Sequence, residues 1–125
     1  MLTAVPGASA TYRGGVIAYA TELKVALLGV PQALVDTHGV VSAPCAAAMA
    51  EGVREVMAST YGVATTGVAG PDRQEGHPVG TVFVGVSGPA GTTTLALELV
   101  GDRSTIVERT CREALSALSD MIRGS

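Results

Sequence analysis

The chain has 125 residues and a formal net charge of −3, with 47% hydrophobic and 15% charged residues. This length is enough for one domain with a proper core. Scattered Lys and Arg residues, an acidic balance and only 3% aromatic residues argue against a nucleic-acid-binding surface. Because no apolar run is long enough to span a membrane and no signal peptide is recognisable, we expect a cytoplasmic protein without membrane contact.

The first twenty-nine residues contain the end of one helix, a strand and a second helix. Residues 2–5 resemble the last turn of an apolar helix, and Pro6-Gly7 is a typical stop. We therefore expect that the body of this helix is missing, through a shortened chain or a misplaced start. Residues 14–20, "GGVIAYA", predict a short and mostly buried strand. Thr21 is then expected to cap a helix that ends at Gly29.

The clearest predicted helix covers residues 41–60. Ser42 is a suitable N-cap residue and Pro44 falls in the first turn, where proline is favoured. Cys45 in this helix and Cys111 near the C-terminus both lie at helical positions among apolar residues, without a CxxC motif. This context indicates two small core residues in a reducing compartment.

The second half of the chain predicts three strands and a final helix. The strands cover residues 61–69, 80–87 and 92–99, with the turn "GPAG" between the last two. Asp102 opens an amphipathic helix, and its apolar face is expected to contain Ile106, Cys111, Leu115, Leu118 and Ile122. The order of elements predicts a three-layer α/β/α single domain, with a mixed sheet, over residues 1–125.

The loop "TTGVAGPDRQEGHPVGTV", residues 65–82, is the richest candidate for a binding site. Thr66, Gly67, Ala69 and Gly70 have side chains small enough to let backbone N–H groups reach an anion. The alternative is an ordinary surface loop, since the segment is neither a Walker motif nor a dinucleotide fingerprint. The length of the loop favours a function.

The polar side chains in and near this loop have simpler interpretations. His38 and His77 are isolated from each other and from carboxylates at useful spacing, so neither a catalytic histidine nor a metal site is expected. Asp72, Arg73 and Glu75 are most simply a solvated face of the loop.

Lys24 breaks a local rule, and such violations often mark functional sites. If Thr21 is the N-cap, Lys24 is the third helical residue, where Glu or Gln would complete a capping box. The positive helix end disfavours the ammonium form and so favours an amine that can act as a base. This field contributes only about 0.3–1 kcal/mol, so burial would have to provide the rest. The alternative is a surface lysine on an amphipathic helix.

Six segments, in this order and at fitting intervals, resemble one protein family over essentially the whole chain. The family is the C-terminal domain of the competence/damage-inducible protein CinA, which also occurs as a stand-alone nicotinamide mononucleotide (NMN) deamidase. The segments are "RGGVIAYATELKVALLGV", "GVVS", "MAEGVRE", "TTGVAGPD", "HPVGTVFVGV" and "GDRSTIVERTCREAL". The pair "TGVAGP" and "PVGTV" is the most specific part of the resemblance.

The resemblance implies an amidohydrolase that converts NMN to nicotinate mononucleotide and ammonia without a metal or other cofactor. In the family a serine nucleophile is activated by a lysine with a tyrosine nearby, which implies Lys24 as base and Tyr19 as its orienting or relaying partner. The nucleotide-binding residues implied by the resemblance are Thr66, Gly67, Ala69, Gly70, Pro71, Gly80 and Thr81.

Two departures from the family pattern bear on this function. The family's serine lies in an upstream segment resembling "ESCTGG", and neither Ser9 nor Ser42 has that context. Ala43 stands where the family commonly has Glu. With the family's first strand and helix missing, we expect an uncovered sheet edge and apolar face, and hence a homo-oligomer. The alternative function is a catalytically incomplete nucleotide-binding or oligomerising protein; direct DNA contact in competence ranks last.

Overall fold

The computed structural model describes residues 2–4 and 6–124. The described helices are α1 (Thr21–Leu28), α2 (Gln32–His38), α3 (Ala43–Met57) and α4 (Arg103–Arg123), and the strands are β1 (Gly62–Gly67), β2 (Thr81–Gly88) and β3 (Gly91–Glu98). Two single turns of 3₁₀ helix, Leu2–Ala4 and Ala8–Ala10, precede them. The predicted helical end at residues 2–5 is therefore described as one 3₁₀ turn, and Val5 lies outside the described residues.

The three strands form one antiparallel sheet in the order β1-β2-β3. Thr66 lies opposite Phe83, and Val84 lies opposite Leu95. Because side chains alternate along a strand, successive residues of β2 serve the two faces in turn. The even-numbered residues of β2, including Val84, pack on the side of α4, and the odd-numbered residues face α3.

Helices cover both faces of this sheet, which confirms the predicted α/β class with three layers. α3 packs on all three strands and carries α1 and α2 on its outer side, whereas α4 packs on β1 and β2. Mostly small and medium-sized apolar side chains fill the core on both sides. The buried residues on the α3 side are Leu28, Val30, Val40, Val41, Cys45, Met49 and Val68; those on the α4 side are Val82, Val84, Val86, Leu99, Ile106 and Ala114.

The predicted strand at residues 14–20 is not hydrogen-bonded into the sheet. Its side chains still alternate as in a strand: Val16 and Ala18 pack against the core, whereas Ile17 is 91% exposed. A groove separates this segment from β1, so the segment does not add a strand to the sheet. The three described strands all pair antiparallel, and the sheet is therefore not mixed as predicted. The prediction that this segment is mostly buried is therefore wrong, because only alternate side chains reach the core and Ile17 and Tyr19 are exposed.

The helix ends follow the predictions in part. The Ser42 hydroxyl accepts a hydrogen bond from the Cys45 N–H at 3.2 Å, and the Asp102 carboxylate accepts one from the Thr105 N–H at 2.8 Å. Both predicted N-caps are therefore confirmed. The predicted cap at Thr21 is wrong, because Ala20 is the N-cap residue and Thr21 is the first residue of α1. The seven-residue helix α2 was not predicted.

The predicted apolar face of α4 is wrong in part. The helix buries Ile106 and Ala114, whereas Leu115 is 41% exposed and Cys111 is also exposed. A helix turns about 100° per residue, so Cys111 and Leu115 lie roughly 140° and 180° around the axis from Ile106. The prediction that both cysteines are core residues thus holds for Cys45 and fails for Cys111. None of the described helices is long and apolar enough to cross a bilayer.

Candidate functional site

A groove of about 1470 Å³ lies between three parts of the described chain. One wall is the unpaired segment 10–19, the second is β1 with the loop that follows it, and the third is the flank of α4 that carries Val107 and Leu118. Small-molecule sites typically measure about 300–1,000 Å³. The groove is therefore large enough for a mononucleotide.

Four of the eight Lys and Arg residues line this groove: Arg13, Lys24, Arg73 and Arg103. Among its described lining residues, Asp72 carries the one carboxylate. The charge of the groove is thus opposite to that of the protein, whose net charge is −3. A concave site lined by cations attracts anionic ligands. In the sequence these four residues are scattered, and only the fold brings them together.

The end of the groove beyond β1 has the features of an anion site. Among the described residues, no group accepts a hydrogen bond from the N–H of Ala69 or Gly70. Arg103 is the first residue of α4, and its guanidinium donates to the Gly70 carbonyl at 2.8 Å. The positive end of α4 and a guanidinium therefore lie beside two free backbone donors.

The structure places the predicted loop residues in two groups. Thr66, Gly67, Ala69, Gly70 and Pro71 line the groove, as do Tyr19 and Lys24. Gly80 and Thr81 are not among the lining residues. Their N–H groups donate to the carbonyls of Val68 (2.7 Å) and Pro78 (3.2 Å), so these two residues join the loop to the sheet.

Thr66 and Gly70 have roles that the sequence did not reveal. The Thr66 hydroxyl is buried and donates to the Val40 carbonyl at 2.7 Å, so it fixes backbone and does not face the groove as a free hydroxyl. Gly70 has φ +92°, and a Cβ atom there would lie 2.8 Å from Val79 Cγ1. The glycine is therefore required by the local backbone as well as by any approaching ligand.

Lys24 is the only lysine in the chain, and it lies inside the protein. It is the fourth residue of α1 and only 8% exposed, and its Nζ donates to the Ala18 carbonyl at 3.2 Å. Among the described residues, no carboxylate lies within ion-pair distance of Nζ. The alternative of a surface lysine is therefore wrong. Tyr19 lines the same groove but is 84% exposed.

The thiol of Cys45 lies in the electrostatic field of Lys24. Burial raises the pKa of the Cys45 thiol, the Lys24 ammonium partly offsets this, and Glu75 adds to the increase. A buried neutral thiol is a poor nucleophile. Cys45 is 0% exposed, so it is a core residue and does not face the groove as a nucleophile.

We expect the two cysteines to differ strongly in alkylation. Cys111 is exposed and should react with iodoacetamide in the native protein, whereas Cys45 should react only after unfolding. Because burial raises its pKa, the Cys45 thiol should stay protected from alkylation even at a pH at which an ordinary exposed thiol ionises. Mass spectrometry of peptides labelled at several pH values checks this; labelling of Cys45 at the rate of Cys111 would contradict the burial described here.

The serines considered as nucleophiles either hydrogen-bond to groups other than Lys24 or do not line the groove. The Ser42 hydroxyl donates to the Gly39 carbonyl at 2.9 Å and caps α3, as predicted. The Ser59 hydroxyl is at the groove but donates to the Tyr61 carbonyl at 2.9 Å. Ser9 is exposed and is not among the groove residues. No recorded hydrogen bond joins a described serine to Lys24.

Glu75 does more than form a solvated loop face, so that prediction is wrong for this residue. Its carboxylate accepts from the N–H groups of Val40 and Val41 at 3.0 and 2.8 Å. Gly39 makes room for the carboxylate, because a Cβ atom there would lie 2.8 Å from Glu75 Oε1. The loop after β1 is thereby fastened to the segment that leads into α3.

Disruption of this contact should loosen the loop. In Glu75→Gln, the amide can accept from only one of the two N–H groups, with a loss of about 1.5–3 kcal/mol of local stability. We expect faster trypsin cleavage after Arg73, measured by mass spectrometry. Asp72→Asn is the matched control, since Asp72 is an exposed carboxylate of the same loop without a recorded hydrogen bond. Equal cleavage rates in the two variants would contradict a fastening role for Glu75.

The histidines lie apart from one another. His77 packs edge-on against Phe83, with ring centroids 6.4 Å apart, and His38 is the last residue of α2. Within the described part of the chain, no three His, Cys, Asp or Glu side chains converge as metal ligands would.

The fold and the groove are those of an α/β domain with a cation-lined site, and comparisons with known proteins identify its family. The family model of the CinA C-terminal domain matches residues 1–122, and the chain belongs to this family. A CinA-like protein of Frankia casuarinae is 51% identical over 98% of the chain, and a putative competence-damage inducible protein of Geobacillus is 48% identical over 94%. The chain spans 28% of the length of each of these two relatives.

Solved structures agree with this assignment. The competence damage-inducible protein A (ComA) of Klebsiella pneumoniae has a TM-score of 0.93 and 32% identity, covering 98% of this chain and 76% of that one. The competence/damage inducible protein CihA of Agrobacterium tumefaciens has a TM-score of 0.90 and 31% identity, covering 95% and 74%. These structures confirm the fold and the family; their names state no substrate.

Proposed function

We propose that the groove binds NMN and that the domain supports hydrolysis of the NMN carboxamide to nicotinate mononucleotide and ammonia. The observation that carries this proposal is the convergence of four cationic side chains on one groove of an acidic protein. NMN carries a phosphate, which such a groove attracts. The reaction itself is taken from the resemblance to the deamidase members of the family.

The phosphate is assigned to the end of the groove beyond β1. Two backbone donors there, the N–H groups of Ala69 and Gly70, have no acceptor within the described part of the chain, and Arg103 supplies a guanidinium. Backbone N–H groups and arginine together form the usual phosphate-binding set. This assignment leaves the nicotinamide to extend along the groove towards Lys24.

Lys24 is assigned as the general base. Its side chain is buried at the groove, its Nζ donates to the Ala18 carbonyl, and no carboxylate among the described residues competes for it. In the proposed reaction the amine deprotonates a hydroxyl, whose oxygen attacks the carboxamide carbon, and ammonia leaves as the acyl ester forms. Water then hydrolyses the ester. Tyr19, at the exposed rim of the groove, orients or relays the proton.

The attacking hydroxyl implied by the family is a serine in a segment resembling "ESCTGG", which does not occur among the 125 residues. Ser42 is committed to capping α3, and Ser59 donates to the Tyr61 carbonyl. The hydrogen bonds of Ser42 and Ser59 support a second candidate function, in which the described domain binds the nucleotide without turnover.

One pair of measurements separates the two candidates. Isothermal titration calorimetry of NMN against the chain tests binding, and a coupled assay of ammonia release at saturating NMN tests turnover. Binding with ammonia release supports the amidase. Binding without release supports the second candidate. Absence of NMN binding to the folded protein would overturn both, and nicotinate mononucleotide serves as the product control in each measurement.

A further inference from the structure

The outer edge of β3 is a long, exposed strand edge. β3 is the last strand of the sheet and pairs only with β2 among the described strands. Most of its residues are exposed, and the large apolar side chain of Leu95 is 39% exposed. This edge lies on the opposite side of the sheet from the groove, which adjoins β1.

The register shows which backbone groups of β3 point outward. The Leu99 N–H donates to the Gly80 carbonyl at 2.8 Å, which continues the pairing of Leu97 with Val82. In antiparallel strands hydrogen-bonded and non-hydrogen-bonded pairs alternate. The odd-numbered residues of β3 therefore bond to β2, and the N–H and C=O groups of its even-numbered residues point away from it: Thr92, Thr94, Ala96 and Glu98.

Residues 91–98 lack the usual features that keep strand edges apart. The segment "GTTTLALE" contains no Lys, Arg or Pro, and its single charge is Glu98 at the end. All eight residues pair with β2 in an unbroken register, so no bulge twists the edge away. Natural proteins protect free edges with charges, prolines or bulges, and an edge without them is a template for another strand.

We propose that β3 pairs antiparallel with β3 of a second copy of this chain, about a two-fold axis at Leu95, to form a continuous six-stranded sheet. In this register Thr92 pairs with Glu98 of the other copy and Thr94 with Ala96. All four outward-pointing residues of each copy are then hydrogen-bonded. A shift of the axis to Thr94 or Ala96 leaves at least one of them without a strand partner.

The side chains fit the same two-fold axis. Leu95 lies on the α4 side of the sheet, opposite Val84, so the two Leu95 side chains meet directly across the axis and bury their exposed area. Leu95 lies midway among the four outward-pointing residues, so a two-fold rotation about it brings each hydrogen-bonding group opposite a partner and the two leucines opposite each other. The edge is therefore complementary to itself. This self-complementarity identifies the partner as a second copy and not an unrelated extended peptide.

Charge at the axis should dissociate the dimer. In Leu95→Lys two ammonium groups would lie directly opposite each other, which is destabilising. Analytical ultracentrifugation over tens to hundreds of micromolar chain should show a concentration-dependent dimer for the unmodified protein and at least a tenfold weaker one for Leu95→Lys. Val100→Lys and Leu115→Lys are matched controls, since both residues are exposed and lie outside the edge. A monomer throughout, or dissociation by Leu115→Lys instead, would overturn the proposal.

Disulfide trapping tests the register. In a Cys111→Ser background, Leu95→Cys places two thiols in a non-hydrogen-bonded pair with Cα atoms about 4.5 Å apart, within the range of a disulfide. Thr94→Cys places them on a diagonal at roughly 7–8 Å, too far for a disulfide. Mild oxidation should give a covalent dimer for Leu95→Cys alone. Trapping of Thr94→Cys, or of neither variant, would overturn the register; NMN binding should be unchanged in either case.

Discussion

Replacement of Lys24 by methionine should lower the rate of ammonia release from NMN by about 10²–10⁴-fold, the usual contribution of a general base. The methionine fills the space of the lysine side chain but has no amine to take a proton. NMN affinity should change much less than the rate, because the phosphate is assigned to Arg103 and the loop N–H groups and not to Lys24. The measurement is the coupled ammonia assay, applied to a form of the protein that releases ammonia.

The same replacement should not destabilise the protein. Lys24 is 8% exposed, and its recorded hydrogen bond is to a neutral carbonyl, so the ammonium form is buried without a charge partner among the described residues. Replacing such a charge with an apolar side chain is often neutral or stabilising. The thermal unfolding midpoint of Lys24→Met should therefore equal or exceed that of the unmodified protein. A lower rate together with an equal or higher unfolding midpoint is expected of a residue that is kept for function at a cost in stability.

Arg13→Met is the matched control, since Arg13 lines the same groove and its guanidinium is engaged by the Met57 carbonyl, to which it donates. We expect it to retain most of the rate. Full ammonia release by Lys24→Met would contradict the assignment of the base. A lower unfolding midpoint without loss of rate would identify Lys24 as a structural residue.

The sequence allowed the correct prediction of the layers and of the features that depend on local chemistry. The caps at Ser42 and Asp102 were predictable, because a single short side chain determines each of them. The alternation of Val16 and Ala18 with the exposed Ile17 was not predicted, because the unbroken apolar run of this segment indicated a mostly buried strand. Its lack of strand pairing was not predicted either, because a strand needs a partner strand that its own pattern does not describe.

The candidate site was only partly predictable because its residues come from distant parts of the chain. Lys24 was recognisable as a local exception and through the family resemblance. Glu75 looked like an ordinary loop carboxylate, and only the fold brings it to the N–H groups of Val40 and Val41. The groove cations likewise appear scattered in the sequence, so the composition excluded a basic surface but could not exclude a local cationic site.

Arg103→Ala should weaken NMN binding by roughly 10–100-fold, which corresponds to the loss of one charge-assisted hydrogen bond of about 1.5–3 kcal/mol. Nicotinamide riboside, which lacks the phosphate, should bind both proteins equally. The ratio of the two ligand affinities, measured by calorimetry, therefore reports the phosphate contact itself. Because the interaction is between charges, the difference between the proteins should shrink as salt is added.

Arg103 also donates to the Gly70 carbonyl, so its loss could act through the loop and not through the charge. Arg103→Gln separates these effects, because an amide can still donate to that carbonyl but carries no charge. If the guanidinium contacts phosphate, Arg103→Gln should bind NMN as weakly as Arg103→Ala. If Arg103→Gln binds NMN normally, the residue supports the loop and the phosphate lies elsewhere. Arg73→Ala gives the comparison for a groove cation whose guanidinium donates to the Gly76 carbonyl and not to Gly70.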